Sequence, residues 1–298
     1  MNFQQTQSNE AKINIKQMIK LCRPKQWIKN GFVFAAIVFS GHLFNIFDIM
    51  NTIFAFFLFS FISSTIYIVN DIADVEEDRN HPKKKLRPIA SGNVSINQAK
   101  LLAMFLFIVV GVGSLLLDVR LSLILLTYFI VNLLYCFKLK KLMLIDVMTI
   151  AFGFILRVLA GAVAINVEIS SWLLICTGLL SLYLGFGKRK NELIVLMDKS
   201  SSHRETLKHY SLEYLNRILL VVLGLTIMTY ILYTINGTQY KNMIFTIPFV
   251  LYGTFRYEYL IISKNSGGSP EDTFLEDKPF LINVVLWIIA AAAAIYFK

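Results

Sequence analysis

Runs of about 20 mostly apolar residues recur along the whole chain, and no other feature limits its fold as tightly. One of them, NTIFAFFLFSFISSTIYIV at 51–69, contains no charged residue. A bilayer core about 30 Å thick is crossed by roughly 20 residues of helix, and a helix leaves no backbone polar group unpaired there. Such runs fall near 27–45, 51–69, 99–117, 120–137, 143–165, 171–187, 217–236, 242–262 and 279–297. They predict an all-α, polytopic membrane protein with about nine transmembrane helices. The composition agrees: 56% hydrophobic and only 16% charged residues are not the balance of a soluble domain.

The basic residues set an orientation. Short cytoplasmic loops carry an excess of Lys and Arg. With the N-terminus inside, the inner segments hold six (Lys12 to Lys29), six (Arg79 to Lys100), three (Lys138 to Lys141), seven (Lys188 to Arg217) and three (Arg256 to Lys278) of the 29. Only Arg120, Lys241 and Lys298 fall outside, and Arg157 falls within a span. The net charge of +10 is therefore explained by a basic inner face that suits anionic lipid and anionic substrates, with no nucleic acid required. The expected location is the inner (cell) membrane, with the N-terminus and active site cytoplasmic.

Residues 1–26 read as a polar, interfacial lead-in with no cleavable signal; Ile15, Met18, Ile19 and Cys22 form one apolar stripe among lysines. Residues 27–298 read as a single transmembrane domain. Cys22, Cys136 and Cys176 have no metal-ligand spacing and are expected to be core thiols; His42, His203 and His209 are scattered. The polar residues gather in the inside loops, which is where chemistry is sought.

The densest gathering is NDIADVEEDRNHPKKKLRPIASG at 70–92, with five carboxylates followed by a basic run. On a helix Asp71, Asp74 and Asp78 lie at about 0°, −60° and −20° around the axis, while Glu76 and Glu77 point elsewhere. Three acids on one face at a membrane mouth repel one another, and a hard divalent cation relieves that repulsion. Mg²⁺ takes a few carboxylates, keeps water, and completes its shell with substrate phosphate oxygens. The ordinary alternative is a solvated acidic helix end. His81-Pro82 is expected to stop the helix. Beyond it Lys83, Lys84, Lys85 and Arg87 either anchor the chain at the surface or meet the remaining oxygens of a bound diphosphate, a role best suited to Lys85 and Arg87.

Further along, Asp146 and Arg157 are eleven residues apart in the fifth span, close to three helical turns, so they face one way but stand about 16 Å apart and cannot touch. An ionisable residue inside a span faces a polar cavity, which makes Arg157 a candidate for an anion. YCFKLKK offers Tyr135, Lys138 and Lys140 at the same interface; GFGKRKNEL offers Lys188 and Arg189, without the spacing of a P-loop. CRPKQWIKNG places Arg23, Lys25 and Lys29 at the surface beside Trp27. In the last inside loop Glu271, Asp272, Glu276 and Asp277 form either a second acidic patch or a solvated stretch.

The 70–92 stretch resembles the NDxxDxxxD first motif of the UbiA-type intramembrane prenyltransferase superfamily. Within it, RPKQWIKN, DRNHPKKKLRPIASG, KLMLIDVMTIAFGFILRVLAGAVA, GKRKNEL and PEDTFLEDKP resemble the decaprenyl-phosphate phosphoribosyltransferases, over a range from 23 to about 280. Where ordinary prenyltransferases have a second DxxxD-like motif, this chain offers Asp146 alone. The resemblance implies a UbiA-like helical bundle with a cytoplasm-facing polar pocket and a Mg²⁺-dependent pentosyltransferase. Its reaction would be phosphoribosyl diphosphate plus a polyprenyl phosphate lipid, giving polyprenyl-phospho-phosphoribose and pyrophosphate for cell-envelope (cell wall) glycan precursors, and it leaves room for a homo-oligomer. It places Mg²⁺ on Asp71, Asp74 and Asp78, Asn70 beside them, and substrate on Lys25, Lys29, Lys85, Arg87, Tyr135, Lys138, Lys140, Asp146, Arg157, Lys188 and Arg189. Two rivals stand against it: a prenyltransferase joining an isoprenyl diphosphate to an aromatic acceptor, and a transporter, whose inverted repeats are not found in the sequence.

Overall fold

Apolar runs that show no two-residue alternation fold into helices, and among the described residues there is no strand. The computed structural model describes residues 15–197, 205–263 and 277–297. The helices are α1 (Ile15–Leu21), α2 (Ala35–Phe39), α3 (Ile46–Ala73), α4 (Val75–Asn80), α5 (Ile96–Leu117), α6 (Val119–Phe137), α7 (Ile145–Ala164), α8 (Ser171–Met197), α9 (Leu212–Leu232), α10 (Ile247–Ser263) and α11 (Lys278–Tyr296). Side-chain oxygens cap several of their N-termini. Ser95 and Gln98 exchange bonds across the start of α5 (3.2 and 3.0 Å), Ser211 accepts from Tyr214 N at α9, and Asp277 accepts from Phe280 N at α11.

Seven helical stretches, rather than the nine expected, are long and apolar enough to cross a bilayer among the described residues: 46–73, 96–117, 119–137, 145–164, 171–194, 212–237 and 278–296. The protein is a multi-span membrane protein on that ground. The expected span 27–45 is instead a 3-10 segment, Pro24–Phe34, followed by the five residues of α2. The expected span 242–262 opens with 3-10 turns, Lys241–Thr246, before the 17 residues of α10. Hydropathy registers how apolar a segment is and not how tightly it is wound, so both looked like continuous spans. Of the expected lead-in helix only α1 lies within the described residues; Glu271, Asp272 and Glu276 lie outside them.

The chain divides into two compact units. The first comprises the described residues up to Lys29 together with 58–113. Its core is Leu21, Ile68, Val75, Ile89, Val94, Ala99, Ala103 and Leu106, which ties α1, the end of α3, α4, the 84–95 segment and α5 together. Trp27 donates its indole N–H to Ser64 Oγ at 3.1 Å and sets its ring edge-on to Phe61, fixing the Pro24–Phe34 segment to α3.

The second unit comprises 30–57 and the described residues from 114 onward. Here α7 packs on α6, α8 and α2, α8 on α9, and α10 on α11. The core is built on Val147, Tyr183, Phe186, Leu215, Leu219, Tyr257 and Ile261. Close approach requires a missing side chain at one point above all: a Cβ on Gly161 would lie 1.9 Å from the Val33 carbonyl oxygen. Without that glycine the 3-10 segment could not lie against α7.

Candidate functional site

In the first unit the acidic run is not one straight helix. Helix α3 ends at Ala73, Asp74 leaves helical geometry (φ −95°, ψ 13°), and α4 resumes at Val75. The main-chain bonds Asp74 N to Asn70 O (2.9 Å) and Asp78 N to Asp74 O (2.8 Å) keep the turns in sequence, so the periodicity survives the break. Asp71 and Asp78 are buried at 2% and 1% exposure, Asp74 is half-buried, and Glu76 and Glu77 are exposed. Glu76 pairs with Arg79, at the surface. As expected, α4 stops before His81-Pro82: His81 is extended, and its Nδ1 accepts from Lys83 N and Lys84 N, starting the Lys84–Leu86 turn.

Arg87 emerges from that turn and joins the two buried acids. Its Nη1 donates to Asp71 Oδ1 at 3.0 Å and to Asp78 Oδ2 at 2.5 Å. Arg23 Nη2 donates to the same Asp71 Oδ1 at 2.5 Å and stacks over Tyr67. Asn70 Nδ2 donates to Asp74 Oδ2 at 2.9 Å, holding the third acid's carboxylate in place. Lys84 Nζ stands 3.7 Å from Asp78 Oδ1. Lys25 and Lys85 are exposed and Lys29 half-buried.

Two acid oxygens are left over. Asp71 Oδ2 and Asp78 Oδ1 are buried and accept no hydrogen bond. A buried anionic oxygen without a hydrogen-bond donor is costly, and Lys84 Nζ, 3.7 Å from Asp78 Oδ1, is too far to donate one, so both oxygens can take a cation. Among the described residues no group of three or more His, Cys, Asp and Glu side chains is placed to hold a metal ion. What fits is a hard divalent ion on a few carboxylate oxygens, with its other positions filled by water and phosphate, which is how Mg²⁺ is commonly held.

In the second unit Asp146, at the N-terminus of α7, is fully buried and both its oxygens are engaged. Arg189 Nε donates to Oδ2 at 2.7 Å and the Tyr210 hydroxyl lies 3.3 Å from Oδ1. Arg189, 1% exposed, also donates to Glu192 at 2.7 Å. Tyr210 OH in turn accepts from Leu144 N at 2.9 Å, where Leu144 takes a left-handed φ of 67°. Burial pushes the Tyr210 hydroxyl up to about 12, so at physiological pH it stays neutral and keeps its proton. This cluster braces the turn that leads from Lys138 and Lys140 into α7. Lys138 is exposed; Tyr135, Lys140 and Lys188 are half-buried; Lys190 and Asn191 are buried beside Arg189.

Arg157, farther along α7, is 5% exposed and does not meet Asp146. It donates to Asn30 Oδ1, Gly153 O and Tyr128 OH, each at 2.8 Å, and lies over the Tyr128 and Phe154 rings. Asn30, Tyr128 and Tyr210 were not singled out in the sequence; the available signal was a polar side chain inside or beside an apolar run. Asp277 caps α11 and pairs with Arg256 at 2.9 Å. Cys22, Cys136 and Cys176 form no disulfide; of the three expected core thiols Cys136 is buried and Cys22 and Cys176 are half-buried.

Residues 31–285 match the model of the UbiA prenyltransferase family. A decaprenyl-phosphate phosphoribosyltransferase of Corynebacterium glutamicum is 34% identical over 289 residues, covering 94% of this chain and 86% of the relative. One of Mycolicibacterium smegmatis is 33% identical over 300 residues, covering 95% and 94%. The solved structure of a UbiA homolog from Archaeoglobus fulgidus bound to GPP and Mg²⁺ superposes with a TM-score of 0.72 at 17% identity, over 94% of this chain and 99% of that one.

Proposed function

This chain belongs to the UbiA prenyltransferase family, and from that premise we propose that it transfers the 5-phosphoribosyl group of phosphoribosyl diphosphate to a polyprenyl phosphate and releases pyrophosphate. The observation that carries this reading is identity of 33–34% with phosphoribosyltransferases along nearly the entire chain. The lone Asp146, held by Arg189 and Tyr210 where a second metal-binding motif would stand, favours it over ionisation of an isoprenyl diphosphate. Product lipid of this kind is a precursor for cell-envelope glycan.

Asp71, Asp74 and Asp78 are the residues assigned to Mg²⁺, and the two unpartnered oxygens on Asp71 and Asp78 support that choice. Bound there, the ion supplies charge neutralisation for a departing diphosphate. Asn70 keeps Asp74 in position through its amide. Arg87 and Lys85 are assigned to the leaving group, where a guanidinium can grip two phosphate oxygens at once. As the sugar C1–O bond breaks, a phosphate oxygen of the lipid forms the new bond to C1 and both electrons of the old bond leave with pyrophosphate. The acceptor is already an anion at neutral pH, so no general base is assigned. Attack opposite the leaving group gives inversion at C1. Lys25, Lys29, Tyr135, Lys138, Lys140, Asp146, Arg157, Lys188 and Arg189 are assigned to substrate binding, Asp146, Arg157 and Arg189 by bracing their neighbours. The basic loops are assigned to the cytoplasmic side.

The test supplies purified protein with Mg²⁺, phosphoribosyl diphosphate labelled in the ribose, and a polyprenyl phosphate. Label moving into the organic phase is the expected result. Label that stays in water, with prenylation of an aromatic acid instead, would replace this reading by the prenyltransferase one.

A further inference from the structure

The acidic cluster of the first unit is already neutral without a metal. Asp71, Asp74 and Asp78 bring three negative charges; Arg23 and Arg87, which touch Asp71 and Asp78 directly, and Lys84, whose Nζ stands 3.7 Å from Asp78 Oδ1, bring three positive ones. The acid side chains are 1% exposed while those of Arg23 and Arg87 are 26% and 25% exposed, so the carboxylates are fixed and the guanidiniums reach them from the water side. A divalent cation placed on the two vacant oxygens, with both arginines still in contact, would leave a buried net charge of about +2, which desolvation opposes strongly. The cation has to arrive with an anion, or a guanidinium has to leave.

Arg87 is the side chain built to do this. Among the described residues it alone bridges the two acids, through a single nitrogen shared between Asp71 and Asp78. It leaves an extended backbone position directly after the Lys84–Leu86 turn, so rotation of its partly exposed side chain can turn the guanidinium from a carboxylate to a phosphate. We propose that Arg87 is the internal counterion of Asp71 and Asp78 in the substrate-free protein and passes to the diphosphate as the cation takes its place. Cation and diphosphate then bind as a pair, each favouring the other, and neither is held firmly alone. This rests on the metal and diphosphate assignment above but not on which diphosphate donor the enzyme uses. Linkage makes the effect reciprocal, with coupling factors of about 5–150 common for such interactions.

The test measures binding of Mn²⁺, standing in for Mg²⁺, to the full chain in detergent by the electron spin resonance of the free ion. It is run with and without inorganic pyrophosphate, after correction for chelation in protein-free solution. Pyrophosphate is common to every diphosphate donor, so failure of the phosphoribosyl reading would appear in the transfer assay and leave this coupling intact. Wild type is expected to bind Mn²⁺ weakly alone and at least about fivefold more tightly with pyrophosphate. Arg87→Gln is expected to bind Mn²⁺ alone about tenfold more tightly than wild type and to lose most of the pyrophosphate enhancement. Arg87→Lys, which keeps the charge but has no planar fork, is expected to fall between and serves if the glutamine variant does not fold. Arg79→Gln removes the same charge from an exposed side chain that pairs with Glu76 and is expected to behave as wild type. The proposal is overturned if the Arg87 variants bind Mn²⁺ no more tightly than wild type, if Arg79→Gln tightens binding as much, or if no protein binds Mn²⁺ under either condition.

Discussion

Arg87 meets one oxygen of Asp71 and one of Asp78, Arg23 meets the same oxygen of Asp71, and the oxygens left over define what the cluster can accept. Changing either acid to Asn keeps its size and removes the charge. Each change is expected to lower kcat/KM for transfer by about 100-fold or more, whereas Glu76→Gln and Glu77→Gln, at exposed positions, leave it unchanged. A different outcome is expected at Arg189. Its replacement by Met leaves Asp146 as a buried charge without its ion-pair partner and should destabilise the fold by roughly 3–5 kcal/mol, read as a lowered midpoint of thermal unfolding in detergent. At this scale the sequence was informative where periodicity alone decides, as in separating Asp71 and Asp78 from Glu76 and Glu77. It was silent on partners. The bonds from Arg23 to Asp71, Arg189 to Asp146 and Arg157 to Asn30 span 48, 43 and 127 residues, and no local rule pairs residues so far apart.

Elements were legible wherever a run was both apolar and helical throughout, as in α3, α5, α6 and α7. The expected stop after Asn80 holds because Pro82 follows and His81 turns its ring back onto Lys83 N and Lys84 N. The Pro24–Phe34 segment, expected as part of a continuous helical span, is wound as 3-10 helix. Its winding is set by tertiary contact: Val33 O lies where a Cβ on Gly161 would stand, and Trp27 is tied to Ser64. Gly161→Ala is therefore expected to push the segment off α7 and to cost roughly 1–3 kcal/mol, with a lower yield of folded protein. Gly31→Ala, in the same segment with nothing within 4 Å of a new Cβ, is the matched control and should leave the unfolding midpoint in place.

For the whole molecule, 34% identity over 289 residues makes the family secure, and the gathering of lysines and arginines is the basis for the proposed orientation. In a background lacking Cys22, Cys136 and Cys176, a cysteine replacing exposed Lys85 should react with an impermeant thiol reagent only from the cytoplasmic side, and one replacing exposed Lys241 only from the opposite side. The central question is which bond breaks, because it decides whether the lipid accepts or donates. Polyprenyl phosphate carrying ¹⁸O in its phosphate, incubated with the protein, Mg²⁺ and phosphoribosyl diphosphate, answers it by mass spectrometry. All of the ¹⁸O is expected in a lipid that has gained one phosphoribosyl group, with unlabelled pyrophosphate released. Label appearing in free phosphate, with the prenyl chain moved to another acceptor, would contradict the assignment of the lipid as acceptor.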